Sequence, residues 1–196
     1  MVNLPYSIRD EVAVGLIFMD TSVLGLIFVG ALVLLEKQQG VLQSLSVTPL
    51  KLNEYLFSKA ISLTLLSAFV SSLLWVIPLW SFRGYEFILP GVILSSIGFT
   101  LFGLGFAAGA VSFNQFLARI FLGSMIFSIP LLPMLLFQNT GWLIILPTNA
   151  ALDLLIRTSK GPYSIIQLLD IVILVIWIFI MNKFAQMQFR KHNLFI

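Results

Sequence analysis

Residues 87–118 read FILPGVILSSIGFTLFGLGFAAGAVSFNQFLA, without a single Asp, Glu, Lys or Arg. A helix that crosses a membrane needs about 20 consecutive, mostly apolar residues. This stretch is longer than that, and the charged face of a water-exposed helix is missing from it. Working outward, the pattern repeats. Residues 60–82 and 120–152 are also uncharged, 12–35 carry only Asp20, and 161–182 carry only Asp170. The spacing predicts five spans, at about 13–35, 60–81, 88–112, 117–138 and 164–185. Lipid gives backbone groups no alternative partner, so each span is expected to be helical. A transmembrane barrel would need short strands of alternating polarity, and runs such as 169–181 do not alternate. The expected fold is therefore all-α: one polytopic transmembrane helical bundle formed by residues 1–196.

Bulk composition agrees. Of 196 residues, 59% are hydrophobic and 10% charged, with mean hydropathy +1.05. Soluble domains average about 25% charged residues, and a short chain has too much surface to hide this much apolar area from water. A soluble globular domain, a disordered tail and a nucleic-acid-binding module are excluded. The chain has no cysteine and one histidine, His192, so it offers no thiolate or histidine cluster to a metal. No GxxxxGK[ST] phosphate loop, catalytic triad or zinc ligand set occurs. The chain is expected not to be an enzyme and to hold no cofactor. Near the N-terminus Arg9 is followed by Asp10 and Glu11, which does not read as a secretory signal.

Basic residues set orientation, because cytoplasmic loops collect Lys and Arg. Lys37, Lys51, Lys59, Arg119, Lys183, Arg190 and Lys191 fall on one side of the five spans, and Arg9, Arg83, Arg157 and Lys160 on the other. The richer side is expected in the cytoplasm of a cell (plasma) membrane protein, with the C-terminus and segment 36–59. The tail cations would then meet anionic membrane lipid.

Segment 36–59, EKQQGVLQSLSVTPLKLNEYLFSK, is too polar to span and too long for a tight turn. Val41, Leu42, Leu45 and Val47 are spaced for one face of a short interfacial helix. Gly40 permits a sharp reversal, and Pro49 pushes Thr48 out of helical geometry. Such a helix can offer its polar side (Gln43, Ser44, Ser46) to a cytoplasmic partner. By its residues alone the segment is equally readable as an ordinary amphipathic connector.

Here Glu36-Lys37-Gln38-Gln39-Gly40 followed by Thr48-Pro49-Leu50 resembles the cytoplasmic signature of the ABC-2 permeases, the membrane-spanning subunits of multidrug-type ABC exporters. Leu42 and Leu45 fall where that family's short helix carries leucines, and Glu54, Tyr55 and Lys59 resemble the start of its next span. The resemblance implies a coupling helix that docks on a separate ATP-binding cassette subunit, with Glu36, Gly40, Leu42, Leu45, Thr48 and Pro49 as coupling residues. It implies ATP and Mg on that partner, and a second permease chain in a homodimer or heterodimer. It also implies a drug, lipid or other amphipathic cargo. The family has six spans, with this element between the second and third. Here the element follows the first, so the family's first transmembrane helix looks absent. Gln38 stands where the family often has a second acidic residue.

Other features carry weaker signals. Gly98, Gly103, Gly105 and Gly109 crowd the third span, and Gly105 and Gly109 form a GxxxG pair that suits close packing within the subunit or a dimer seam. Pro130 and Pro133 are expected to bend the fourth span. Segment 139–162 is expected as an outer re-entrant or interfacial short-helix hairpin, with Asn149, Asp153 and Arg157 on one face, Asp153 and Arg157 paired, and Leu152, Leu155 and Ile156 opposite. ABC-2 permeases carry similar outer helices before their last span. Trp75, Trp80, Tyr85, Trp142 and Tyr163 are expected in an outer aromatic belt. Asp20, flanked by Thr21 and Ser22, and Asp170 near the outer end of the last span are the intramembrane acids. Such residues face protein or water, which makes them a candidate polar site. A reading of a different class is a non-transporting membrane protein (an assembly, sensor or immunity-type factor) in which segment 36–59 is only a connector.

Overall fold

The computed structural model describes residues 6–79, 85–128, 145–159, 165–192 and 194. The described residues form helices and no strand. Helix α1 (Tyr6–Val23) runs through a π-helical segment (Leu24–Phe28) into α2 (Val29–Gln38). After α3 (Val41–Ser46) come α4 (Leu52–Leu79), α5 (Tyr85–Ala108), α6 (Phe113–Ser128), α7 (Pro147–Ser159) and α8 (Ile165–Lys191).

Four stretches are long and apolar enough to cross a membrane: Val12–Gln38, Leu52–Val76, Ile88–Ala108 and Ile165–Lys191. They correspond to the first, second, third and fifth expected spans. The described part of the fourth is α6; its remainder, with Pro130 and Pro133, lies outside the described residues. Helices begin and end beyond the uncharged runs: α4 starts at Leu52, and α8 continues to Lys191. Charged side chains at helix ends reach water along their stems, so the hydrogen-bonded helix outlasts the apolar core. At 1.5 Å per residue, 27-residue spans such as Ile165–Lys191 reach about 40 Å, more than a bilayer's hydrocarbon thickness.

Helix α5 is the centre. It packs against α1 and its π segment, α2, α4, α7 and α8. Glycines set how closely. A side-chain carbon on Gly103 would come within 2.7 Å of the Leu26 carbonyl and 2.9 Å of the Gly25 carbonyl. One on Gly25 would reach Phe99 at 2.8 Å. The π segment and α5 therefore touch backbone to backbone, the contact that small residues allow within membrane bundles. Gly105 lies against the Phe184 ring of α8, so this member of the GxxxG pair serves packing within the chain.

One expectation is corrected. Trp75 is a core residue rather than a belt residue, buried with Ile88 and Val92. Helix α7, the described part of segment 139–162, is packed into the bundle: Ala150, Ala151, Leu154 and Leu155 are buried, and it lies on α1, α5 and α8. Tyr85, half-buried, donates to the Ala68 carbonyl at 2.9 Å and meets Ser71 at 2.9 Å. Trp80, Trp142, Tyr163 and residues 139–144 lie outside the described residues.

Candidate functional site

The segment between the first two spans is built by local rules. Helix α2 stops at Gln38, and Gly40 takes φ 70°, a left-handed conformation that costs other residues about 1–2 kcal/mol. The chain reverses and α3 begins. It ends at Ser46, where the Thr48 hydroxyl donates to the Leu45 carbonyl at 2.6 Å. Glu54 then accepts the Lys51 backbone N–H at 2.9 Å, the reach-back of a capping box that fixes where α4 starts.

The faces of α3 differ from the expected pattern. Leu42 is 2% exposed and sits in the main core, with Leu45 and Leu50 packed against it. Val47, expected on the same face, is 86% exposed. A six-residue helix is under two turns, so its last apolar residue has left the helix before the face repeats. Val47, Thr48, Pro49, Gln43 and Ser44 make the outward surface; the Ser46 side chain lies outside the described residues.

Two consecutive residues tie this segment to the bundle. Successive helical residues point about 100° apart, so Glu36 and Lys37 reach different neighbours. The Glu36 carboxylate accepts the Tyr55 hydroxyl at 2.7 Å and is paired with the Lys59 ammonium, both from α4. Lys37 donates to the carbonyls of Ala107, Ala108 and Ala110 at 3.0, 2.5 and 3.0 Å. It thereby satisfies orphan acceptors at the C-terminal end of α5, where positive charge is favoured. The first span is thus latched to the second and third at the root of α3. The Glu36 carboxylate is turned into the bundle, toward α4.

The intramembrane acids stand apart. Asp20 has one carboxylate oxygen buried without a hydrogen-bond partner among the described residues. Thr21 and Ser22 do not solvate it: their hydroxyls donate to the Ile17 and Phe18 carbonyls of their own helix at 2.7 and 2.8 Å. Asp170 is fully buried rather than near water. It faces Asp153 of α7, and Arg157 lies in charge range. Arg157 pairs with Asp153 at 2.6 Å, as the sequence spacing predicts. Asn149 and Gln167 are buried on the same two helices. Neither oxygen of Asp170 accepts from an N–H or O–H donor among the described residues, so Asp153 and Asp170 meet as two acceptors. One shared proton turns that contact into a hydrogen bond.

With these helices in place, one family matches residues 6–182: the Rv2686c-like family, described as "Fluoroquinolones export permease protein Rv2686c-like". The match takes in the first three apolar spans, most of the last, and both polar clusters. The chain belongs to the Rv2686c-like family. Membership and four apolar helices make it an integral membrane protein of the export-permease kind. No curated protein matches the chain.

For this member of the Rv2686c-like family, sequence reading found the 36–59 segment and the Asp153–Arg157 pair. It missed Lys37 and Tyr55 as latch residues. A lysine in the last turn of α2 was the available signal, since last-turn cations find helix carbonyls; that the carbonyls belong to α5 was not readable. It also missed the juxtaposition of Asp153 and Asp170. Asp170→Asn replaces one of the two acceptors by an amide donor. It is expected to hold or raise stability by about 1 kcal/mol, a rise of ~2–4 °C in the melting temperature of the detergent-solubilised protein. A fall of that size would show that the carboxyl group is needed as such.

Proposed function

We propose that this chain is the membrane-spanning subunit of an ATP-driven ABC-2 type exporter, and that α3 is its coupling element. ATP, with Mg, is hydrolysed on a separate ATP-binding cassette subunit. A second permease chain, identical or different, completes the transport unit. The basic-residue bias supports a plasma-membrane protein with α3 and the C-terminus in the cytoplasm. The family's description names fluoroquinolones, and drugs of that amphipathic class are the proposed cargo. Asp20, a carboxylate midway along the first span, is the proposed polar contact inside the membrane.

One observation carries the reading: α3 has an exposed outer surface and a root latched to two further spans through Glu36 and Lys37. A push on Val47, Thr48 and Pro49 is passed by Leu42 into the core and by the latch to α4 and α5. A free connector needs none of these attachments.

The test is co-expression with the ATP-binding subunit encoded nearby, followed by co-purification and a fluoroquinolone efflux assay. Gly40→Pro forbids the φ of 70° that sets the reversal, and Leu45→Asp puts a charge against the core. Both are expected to reduce efflux at least tenfold, while membrane insertion is retained. Unchanged efflux in both variants, with no ATP-binding subunit co-purifying, would overturn the coupling role of α3, and no efflux above that of cells lacking the protein would favour the non-transporting reading.

A further inference from the structure

At the end of the bundle that carries α3, positive charge gathers on the chain reversal after α5. Lys37 already spends its ammonium on three carbonyls there. A second cationic side chain, Arg119, and the His192 imidazole arrive from other helices. A side-chain carbon built on Gly109 would meet Arg119 Nη1 at 2.5 Å and His192 Nε2 at 2.7 Å. Arg119 comes from α6, and His192 follows the last turn of α8. The missing side chain of Gly109 is what makes room for both.

The reversal itself is firmly built. Ser112 accepts the Gln115 N–H at 3.3 Å and Gln115 accepts the Val111 N–H at 2.9 Å, a reciprocal cap that starts α6. The cap fixes where the helix that carries Arg119 begins.

Nothing among the described residues answers this charge. Their ion pairs are Lys59–Glu36 and Arg157–Asp153, both elsewhere. The carbonyls that would attract a cation are occupied by Lys37. Partial burial, and then the charges of Lys37, Lys191 and Arg119, hold the His192 imidazole below its ordinary pKa. Those are the charged groups facing it from α2, α6 and its own helix. Helix capping explains Lys37 and leaves Arg119 and His192 unexplained. Both are open enough for a ligand: Arg119 is half-buried and His192 exposed. The site also lies at the end of three spans, the level at which lipid headgroups sit.

We propose that Arg119 and His192, brought together over Gly109, bind on their outward side a phosphate group of the kind carried by an anionic lipid headgroup. Arg119 supplies planar, charge-assisted donors to phosphate oxygens. His192 adds a second donor and carries its proton most firmly when the anion is present, so binding tightens as pH falls. The inference does not rest on the transport reading.

His192 is the only histidine in the chain, so isotope-labelled histidine reports the site without assignment. The full-length protein is reconstituted in phosphatidylcholine nanodiscs, in discs containing phosphatidylglycerol, and in phosphatidylcholine discs with added inorganic phosphate. The His192 pKa is expected to rise by about one unit in the phosphatidylglycerol discs and to keep most of that rise at high salt, which screens general surface potential. Arg119→Gln is expected to lose most of the rise, and Lys183→Gln to keep it. A rise with inorganic phosphate alone supports the site and assigns it to free phosphate. An equal rise in wild type and Arg119→Gln, a rise abolished by salt, or no rise in any arm would overturn the proposal.

Discussion

Glu36→Ala is expected to cost about 3 kcal/mol of stability and to abolish efflux. The carboxylate is mostly buried and holds two groups of α4, the Tyr55 hydroxyl and the Lys59 ammonium. Removing one partner of such a pair strands the other, which typically costs 3–5 kcal/mol. The Tyr55 ring is 2% exposed, so its hydroxyl has little water to turn to. For a chain of this size the loss corresponds to a fall of ~6–12 °C in melting temperature. Two companion variants separate charge from shape. Tyr55→Phe removes one hydrogen bond to a charged group and is expected to cost about 1.5–3 kcal/mol. Glu36→Ala combined with Lys59→Met leaves no stranded charge and is expected to recover at least half of the lost stability without restoring efflux. If efflux survives in Glu36→Ala protein that is folded and inserted, the latch is not part of the coupling path proposed for α3.

Gly103→Val is expected to be of similar size for a different reason. The Gly103 neighbours are the Gly25 and Leu26 carbonyls and the Val29 side chain. Flexible side chains move aside for an added methyl group, but a backbone carbonyl in a continuous helix does not. Either α5 separates from the π segment along much of its length or the bundle is not formed. Overpacking of this kind costs about 3 kcal/mol or more, read as a melting temperature lowered by ~6–12 °C and as low yield of monodisperse protein. Gly98→Ala is the matched control: its nearest atom is Ile178 Cγ1 at 3.8 Å, an ordinary contact. It is expected to be neutral or slightly stabilising, since alanine favours helix over glycine. Equal tolerance of both substitutions would mean that the first and third spans do not approach this closely in the membrane.

Much of this molecule was legible from hydropathy. Four spans, the short helix after the first of them, the chain reversal at Gly40 and the Asp153–Arg157 pair all follow from local periodicity or one-turn spacing. The misread features share a cause. Val47 belongs to the α3 face on a helical wheel, but the helix ends before it. Trp75 looks like boundary material because aromatic rings favour interfaces, yet it is covered by α1 and α5. Asp170 looks close to water in sequence and is sealed by α7. In each case a neighbour from another part of the chain outweighs the local preference.

By itself, the sequence determined that this chain lives in a membrane, where its four long apolar helices lie, and where the polar segment after the first of them sits. Those are properties of one helix at a time, set by the cost of placing backbone and charge in lipid. Only the tertiary structure decided which way each helix faces. It put Leu42 into the core and Val47 into solvent, turned Glu36 toward α4 and Lys37 toward α5, and set Arg119 and His192 side by side over Gly109. The long helices α4, α5 and α8 are apolar nearly all round, so no amphipathic stripe marks their inner face. What selects it is shape, through glycines that admit a neighbouring backbone, and the need of each buried polar group for a partner on another helix.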